Sequence, residues 1–378
     1  LDNGGNISAN EITLNIDDTL NNKENAQISA DSQVVIKQTN TSGNKNEWMP
    51  SAMSALELPS TPVIISSATS NNLVVNNKGL LLSSNVLNIS ANILSNEKDI
   101  AAKEVTLTID KTLDNTENAK ILVNNQLTIK QTKGTNNNLV VSNKGLLLSK
   151  DRLNISANTL DNQKDISAKK ATLEIKTVLD NKEGARIFID DTLDIIATGL
   201  NNKGYIKGTT LEVTADNINN TTNSKILAVD STFTVDTFVN NGSVKSMHDL
   251  TIQKKTQDNK IATLDIKSQY AFYAGNNFNI VKNATGIFNV NIVDGFIAKG
   301  INWAINKLDL RGTLKSSAGF HLDVVDTLTL GTRSSPILES NPPKEGFIPI
   351  PTSESKYDTK EGFIPIPTSE SKYDTKEG

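Results

Sequence analysis

Short stretches of strict apolar–polar alternation recur along the chain. Ile12-Thr13-Leu14-Asn15-Ile16, Val105-Thr106-Leu107-Thr108-Ile109, Leu211-Glu212-Val213, Phe233-Thr234-Val235 and Leu328-Thr329-Leu330 are examples. Period two puts the aliphatics on one face and Thr, Asn or Glu on the other, so these stretches predict strands of three to five residues. Between them stands a second pattern, an apolar residue followed by paired Asn or Asp: Leu1-Asp2-Asn3, Leu20-Asn21-Asn22, Leu94-Ser95-Asn96, Leu113-Asp114-Asn115, Leu160-Asp161-Asn162, Leu179-Asp180-Asn181, Leu200-Asn201-Asn202, Ile218-Asn219-Asn220 and Val239-Asn240-Asn241. After each marker an apolar residue returns, as at Ile7, Ile28, Ile121, Ile187, Ile226 and Val244. The unit so defined is short, about 20 residues.

A longer repeat contains the shorter one. Residues 73–132 begin Leu73-Val74-Val75-Asn76-Asn77-Lys78-Gly79, and residues 139–198 begin Leu139-Val140-Val141-Ser142-Asn143-Lys144-Gly145. The match runs ungapped to the end of both blocks. Residues 1–39 match the second half of the same block, with Leu14, Leu20, Ile28 and Ile36 corresponding to Leu107, Leu113, Ile121 and Ile129. Residues 40–72 fit neither register and read as an inserted loop. They hold Pro50, Pro59 and Pro62, together with Trp48, Met49 and Met53, an apolar trio that is the best candidate contact patch. The alternative for that trio is a loop packed back on its own rod.

A coil of about 20 residues cannot bury its apolar face alone, but it can do so by stacking on a like neighbour. The expected fold is therefore all-β, a parallel β-helix with strands paired between successive coils about 4.8 Å apart. Aliphatic side chains stack inside, and Asn fits the corners because it tolerates left-handed backbone and its amide can bond the equivalent amide one coil on. About 300 array residues predict about 15 coils, a rod on the order of 70 Å long. The coils are expected over 1–39 and 73–252 and, less regularly, over 253–335, where Phe272, Phe278, Phe296 and Trp303 accumulate. Phe296 to Leu308 admits a helical turn or two, but flanking alternation favours more β-coil.

Composition agrees with a solenoid and excludes other classes. Asparagine numbers 48 of 378 residues, while aromatics make up only 4%, which suits a slim aliphatic interior that takes rings badly and does not suit a cofactor pocket. Residues 63–335 contain no proline, as expected where each strand N–H is needed by the next coil. The absence of cysteine removes disulfides, thiolate-bound zinc and a thiol nucleophile. A net charge of −4 with interspersed signs argues against nucleic acid or an anionic membrane as partner. No apolar run reaches the 18 residues of a membrane helix.

From residue 336 the character changes. Lys344-Glu345-Gly346-Phe347-Ile348-Pro349-Ile350-Pro351 opens a 16-residue unit that repeats from Lys360, and 336–378 is expected to be a disordered tail. The chain opens Leu1-Asp2-Asn3-Gly4 without a Met or signal segment, and a third tail copy breaks off, so it reads as a piece of a longer protein.

No catalytic, cofactor or metal site is expected. His248 and His321 are the only histidines, and neither has a second His or Cys at ligand spacing. Asp190, Asp191 and Asp194 are the densest acidic group. Polysaccharide lyases built on β-helices use such carboxylates, but here they fall in an ordinary repeat and are expected to form a solvated face.

Three coupled features recur: the Leu-Asp/Asn-Asn marker, a following Gly/Ala-x-Ile, and Ser-Ala-Asn/Asp strands. Leu179-Asp180-Asn181-Lys182-Glu183-Gly184-Ala185-Arg186-Ile187, Leu200-Asn201-Asn202-Lys203-Gly204-Tyr205-Ile206 and Leu1-Asp2-Asn3-Gly4-Gly5-Asn6-Ile7 carry them. In these the chain resembles the filamentous haemagglutinin family, large exoproteins of bacterial two-partner secretion. The resemblance implies a right-handed β-helix exported through a dedicated outer-membrane pore of a Gram-negative bacterium. It also implies a role in attachment to a host or neighbouring cell through a surface receptor or glycan, or as the stalk of a contact-dependent growth-inhibition toxin. No secretion domain and no toxin marker occurs in these residues. A carbohydrate-active β-helix enzyme is the reading from a different class.

Overall fold

The computed structural model describes residues 1–39, 72–132, 138–255, 272–281, 289–292, 296–310, 314–330 and 338–339. Trp48, Met49 and Met53, and the tail from 340 onward, lie outside the described residues. The described residues contain strands and no helix, every strand pairing is parallel, and the strands wind into a β-solenoid of about 12 turns. That is fewer than the 15 coils expected from about 300 array residues, of which 256–271 lie outside the described residues.

Several inward-facing columns run along the solenoid. One is Leu20, Val75, Leu94, Leu113, Val141, Leu160, Leu179, Leu200, Ile218 and Phe238, each in register with the next. All of these side chains are buried. Full burial of an aliphatic side chain contributes about 2 kcal/mol. Here it comes almost wholly from the coils above and below, which is why one coil could not fold alone. The first coil makes the point: Ile7 and Leu14 have a neighbour on one side only and stay partly exposed.

The strands are longer than the alternation suggests. Asp99–Asn115, Leu146–Asn162 and Asp165–Asn181 each run 17 residues. The ladder hydrogen bonds persist around the bends, with register shifts where the chain turns, between Ser149 and Arg152 and between Ala157 and Thr159. Alternation marks only the straight parts, since a bend inserts a residue and breaks period two.

The markers define the sharpest corner. In each, the apolar residue faces the core and the second Asn turns its amide into the corner. Asn3, Asn22, Asn77, Asn96, Asn115, Asn143, Asn162, Asn181, Asn202, Asn220 and Asn240 form one buried column, in which each Nδ2 donates to the Oδ1 of the next at 2.7–2.9 Å. The register corrects one marker and supplies two that the pattern missed. Phe238-Val239-Asn240 takes the position read as Val239-Asn240-Asn241, and Val75-Asn76-Asn77 and Val141-Ser142-Asn143 are further rungs. Val stands in place of Leu in both further rungs, and a ring does so in the corrected one.

The left-handed backbone falls elsewhere. Asn25, Asn118 and Asn223, with φ of 63°, 67° and 69°, and Gly184 at 77°, are the positive-φ residues of four turns that follow ladder positions. Corner bonding and turn making are thus tasks of different asparagines.

The interior also takes rings, contrary to the expectation from composition. Phe233, Phe238, Phe272, Phe278 and Trp303 are fully buried and form a chain with centroid spacings of 5.1, 5.6, 5.8 and 5.3 Å. Ser231 occupies the column position held by Leu211 below and Leu250 above, which leaves volume beside Phe233. Phe296–Leu310 is a strand, paired in parallel with Leu314–Leu330.

Candidate functional site

The solvent-facing side of the marker corner uses two turn lengths. Lys23–Ala26, Thr116–Ala119, Lys182–Ala185 and Thr221–Ser224 each close with a hydrogen bond of 3.1 Å from the N–H of the fourth residue to the carbonyl of the first. The residue before that closing N–H needs positive φ, so Asn or Gly occupies it. The coil stacked on each such turn makes a shorter turn with Gly next to the corner. A Cβ on Gly79, Gly145 or Gly204 would lie 2.1–2.2 Å from the carbonyl oxygen of Ala26, Ala119 or Ala185, a distance no side chain can occupy. Longer turns therefore project as ledges, and shorter ones fall back between them.

Two grooves result. One, of about 390 Å³, opens beside the Thr116–Ala119 ledge and is lined by Glu117, Lys120, Lys144, Leu146, Lys164 and Asp165 among others. The other, of about 560 Å³, lies between the Lys182–Ala185 and Thr221–Ser224 ledges. Its lining includes Arg186, Lys203, Tyr205, Lys225, Leu227 and Lys245, with Glu183 as its one acid. Register fixes the arrangement: Arg186, Tyr205 and Lys225 stand in one outward column, and Lys207, Leu227 and Lys245 in the next.

The electrostatics of this face are specific. Arg186 grips Asp165 with both arms, Nε to Oδ1 at 2.7 Å and Nη2 to Oδ2 at 2.8 Å, a bidentate charge-assisted pair. Lys207 is buried, its Nζ 4.1 Å from the Phe188 ring centroid, and desolvation pushes its pKa down against the opposing pull of Asp190. Burial likewise pushes the Tyr205 hydroxyl up. Lys225 and Lys245 enter no ion pair among the described residues. Nearer the first ledge, Lys182 reaches both Asp161 and Asp180, whose carboxylates stack one coil apart, and its hydrogen bond to Asp180 raises its pKa.

The three acids singled out from the sequence do not converge. Asp191 pairs with Lys170 at 3.5 Å, and Asp190 lies exposed by the next bend. Asp194 is stacked on Glu212, where partial burial first, then Glu212 and Glu174, raise its pKa. His248 lies beside Asp230, with Nδ1–Oδ2 at 3.7 Å, and His321 is three coils further along. Among the described residues no group of three or more His, Asp or Glu is placed to hold a metal ion.

The groove residues were overlooked because they carry no motif. Arg186, Tyr205 and Lys225 are 19 and 20 residues apart, the coil period itself, and only the register reveals that they share a column. Comparison with known proteins adds no name: no family model, no curated protein and no solved structure matches the chain.

Proposed function

We propose that the chain is a non-enzymatic rod of a large exported surface protein of the two-partner-secretion kind, mediating attachment. The observation that carries this reading is the unbroken column of buried asparagines from Asn3 to Asn240, by which coil after coil stacks in register over an aliphatic interior. A solenoid that holds its interior uniform while its outward side chains vary is suited to presenting contact surfaces along a line.

In this reading the partners are a dedicated outer-membrane pore during export and a receptor or glycan on a host or neighbouring cell afterwards. The location is the surface of a Gram-negative bacterium. The scattered placement of Asp190, Asp191 and Asp194 favours a rod over a polysaccharide-cleaving enzyme. A toxin stalk would use the same rod with an effector beyond it.

The test is adhesion of beads coated with the purified chain to epithelial and bacterial cells, with soluble chain as competitor, alongside a polysaccharide panel assayed for cleavage. The expected outcome is competable adhesion without turnover. Turnover that is lost in Asp190→Asn/Asp191→Asn would overturn the reading, as would coated beads that bind no better than bare ones.

A further inference from the structure

We propose that the groove between the Lys182–Ala185 and Thr221–Ser224 turns binds an acidic polysaccharide. This deepens the attachment reading and rests on it.

The charge is local. The whole chain carries −4, yet this groove gathers Arg186, Lys203, Lys225 and Lys245 against Glu183 alone. Arg186 is held by Asp165, and Lys203 lies 4.0 Å from Asp180. Lys225 and Lys245, on neighbouring coils of the floor, have no carboxylate partner among the described residues. Two ammonium groups without a counter-ion in a shared recess favour an anion supplied from outside.

The floor is partly apolar. Tyr205 stands between Arg186 and Lys225 in one column, half-buried, and Leu227 stands beside it between Lys207 and Lys245. A flat ring bordered by cations suits a sugar, whose C–H face lies on the aromatic while its carboxylates reach the lysines. The ledges are two coil steps apart, about 10 Å, which admits a single sugar chain lying across the edge.

An acidic peptide is disfavoured by the backbone. The floor N–H groups of Tyr205, Lys225 and Ser243 already donate to Ala185, Gly204 and Ser224 carbonyls at 2.9–3.0 Å. Extended peptides add to sheets through free main-chain groups, and these three floor N–H groups are already engaged. Recognition must run through side chains, and those present are cations and a ring.

The test is titration of the full chain with polygalacturonate fragments, their methyl-esterified neutral counterparts and polyglutamate. Polygalacturonate should bind, weakening with salt, while the neutral fragments and polyglutamate should bind at least about tenfold more weakly. Lys225→Glu/Lys245→Glu should lose at least about tenfold in affinity, and Tyr205→Ala should lose affinity for polygalacturonate as well. Lys103→Glu/Lys111→Glu, the same charge change on a distant strand, should bind as the parent does. Circular dichroism checks that each variant keeps the strand spectrum. Equal loss in both double variants, equal binding of polyglutamate, or no binding of polygalacturonate would overturn the proposal. Coated beads that still adhere to cells while polygalacturonate fails to bind would sink the groove assignment alone, leaving the attachment reading standing.

Discussion

Coils from Asn3 to Asn240 and coils from Phe233 to Trp303 hold the same parallel register by different means. The first set runs a continuous string of ten amide–amide hydrogen bonds up one corner over an aliphatic interior. In the second, rings from four columns touch one another across the interior. The two overlap in a single coil, which carries Phe233, Phe238 and Asn240, and there the amide string ends: Asn240 Nδ2 is buried with no partner among the described residues. Hydrogen bonds specify register by pairing at each step, since a slip of one residue leaves buried donors unmatched. Ring contacts specify it by shape and tolerate less regular coils.

The sharpest way to break this contrast is Asn162→Asp. Asn162 donates to Asn181 at 2.8 Å and to the Lys164 and Arg186 carbonyls, and accepts from Asn143. A carboxylate removes all three donations and places a charge in a fully buried position, so the expected cost is about 5 kcal/mol. Hydrogen exchange should show protection lost in the coils on either side and kept beyond Phe272, because each coil depends on its neighbours.

Phe278→Ala opens a cavity between Phe272 and Trp303 and should cost about 4 kcal/mol. Its exchange pattern should be the reverse, with loss confined to the aromatic coils. Leu107→Phe carries a ring into the aliphatic part, where Ile89 and Ile129 fill the neighbouring rungs and Val105 stands in the column where Ser231 makes room for Phe233. Overpacking should cost about 2 kcal/mol, read as a lower midpoint in denaturant. If it costs nothing, the two interiors differ in sequence but not in tolerance.

The smallest effect should be a gain. The folded pKa of Asp194 is raised, so its ionised form is disfavoured in the fold. Asp194→Asn should therefore stabilise the chain at neutral pH, with the gain shrinking as pH falls through the raised pKa toward the ordinary 3.8. Thermal melts of the two proteins across pH 3–7 would check this.

Much of the architecture was legible in the residue pattern, because a solenoid writes its coil into the chain as a period. The core columns and the corner asparagines follow from spacing alone. The ring-filled interior was not legible, since the room for Phe233 comes from Ser231, a compensation visible only once register is known. Bends were hidden for a similar reason: they interrupt alternation without interrupting the ladder. The groove was hidden most completely. Tyr205 and Lys225 look like ordinary surface residues until a glycine forced beneath Ala185 sets one turn back between two others.

The central claim is the register of the stacked coils, including that of Thr19–Asn22 with Val74–Asn77. The chain lacks cysteine, so paired cysteines report it directly. Asn21 is opposite Asn76 although they are 55 residues apart, and Asn76 is opposite Ser95. Under mild oxidation Asn21→Cys/Asn76→Cys should form an intrachain disulfide, while Asn21→Cys/Ser95→Cys, two coils apart, should not. Failure of the first pair to close, or equal closure of both, would contradict the account.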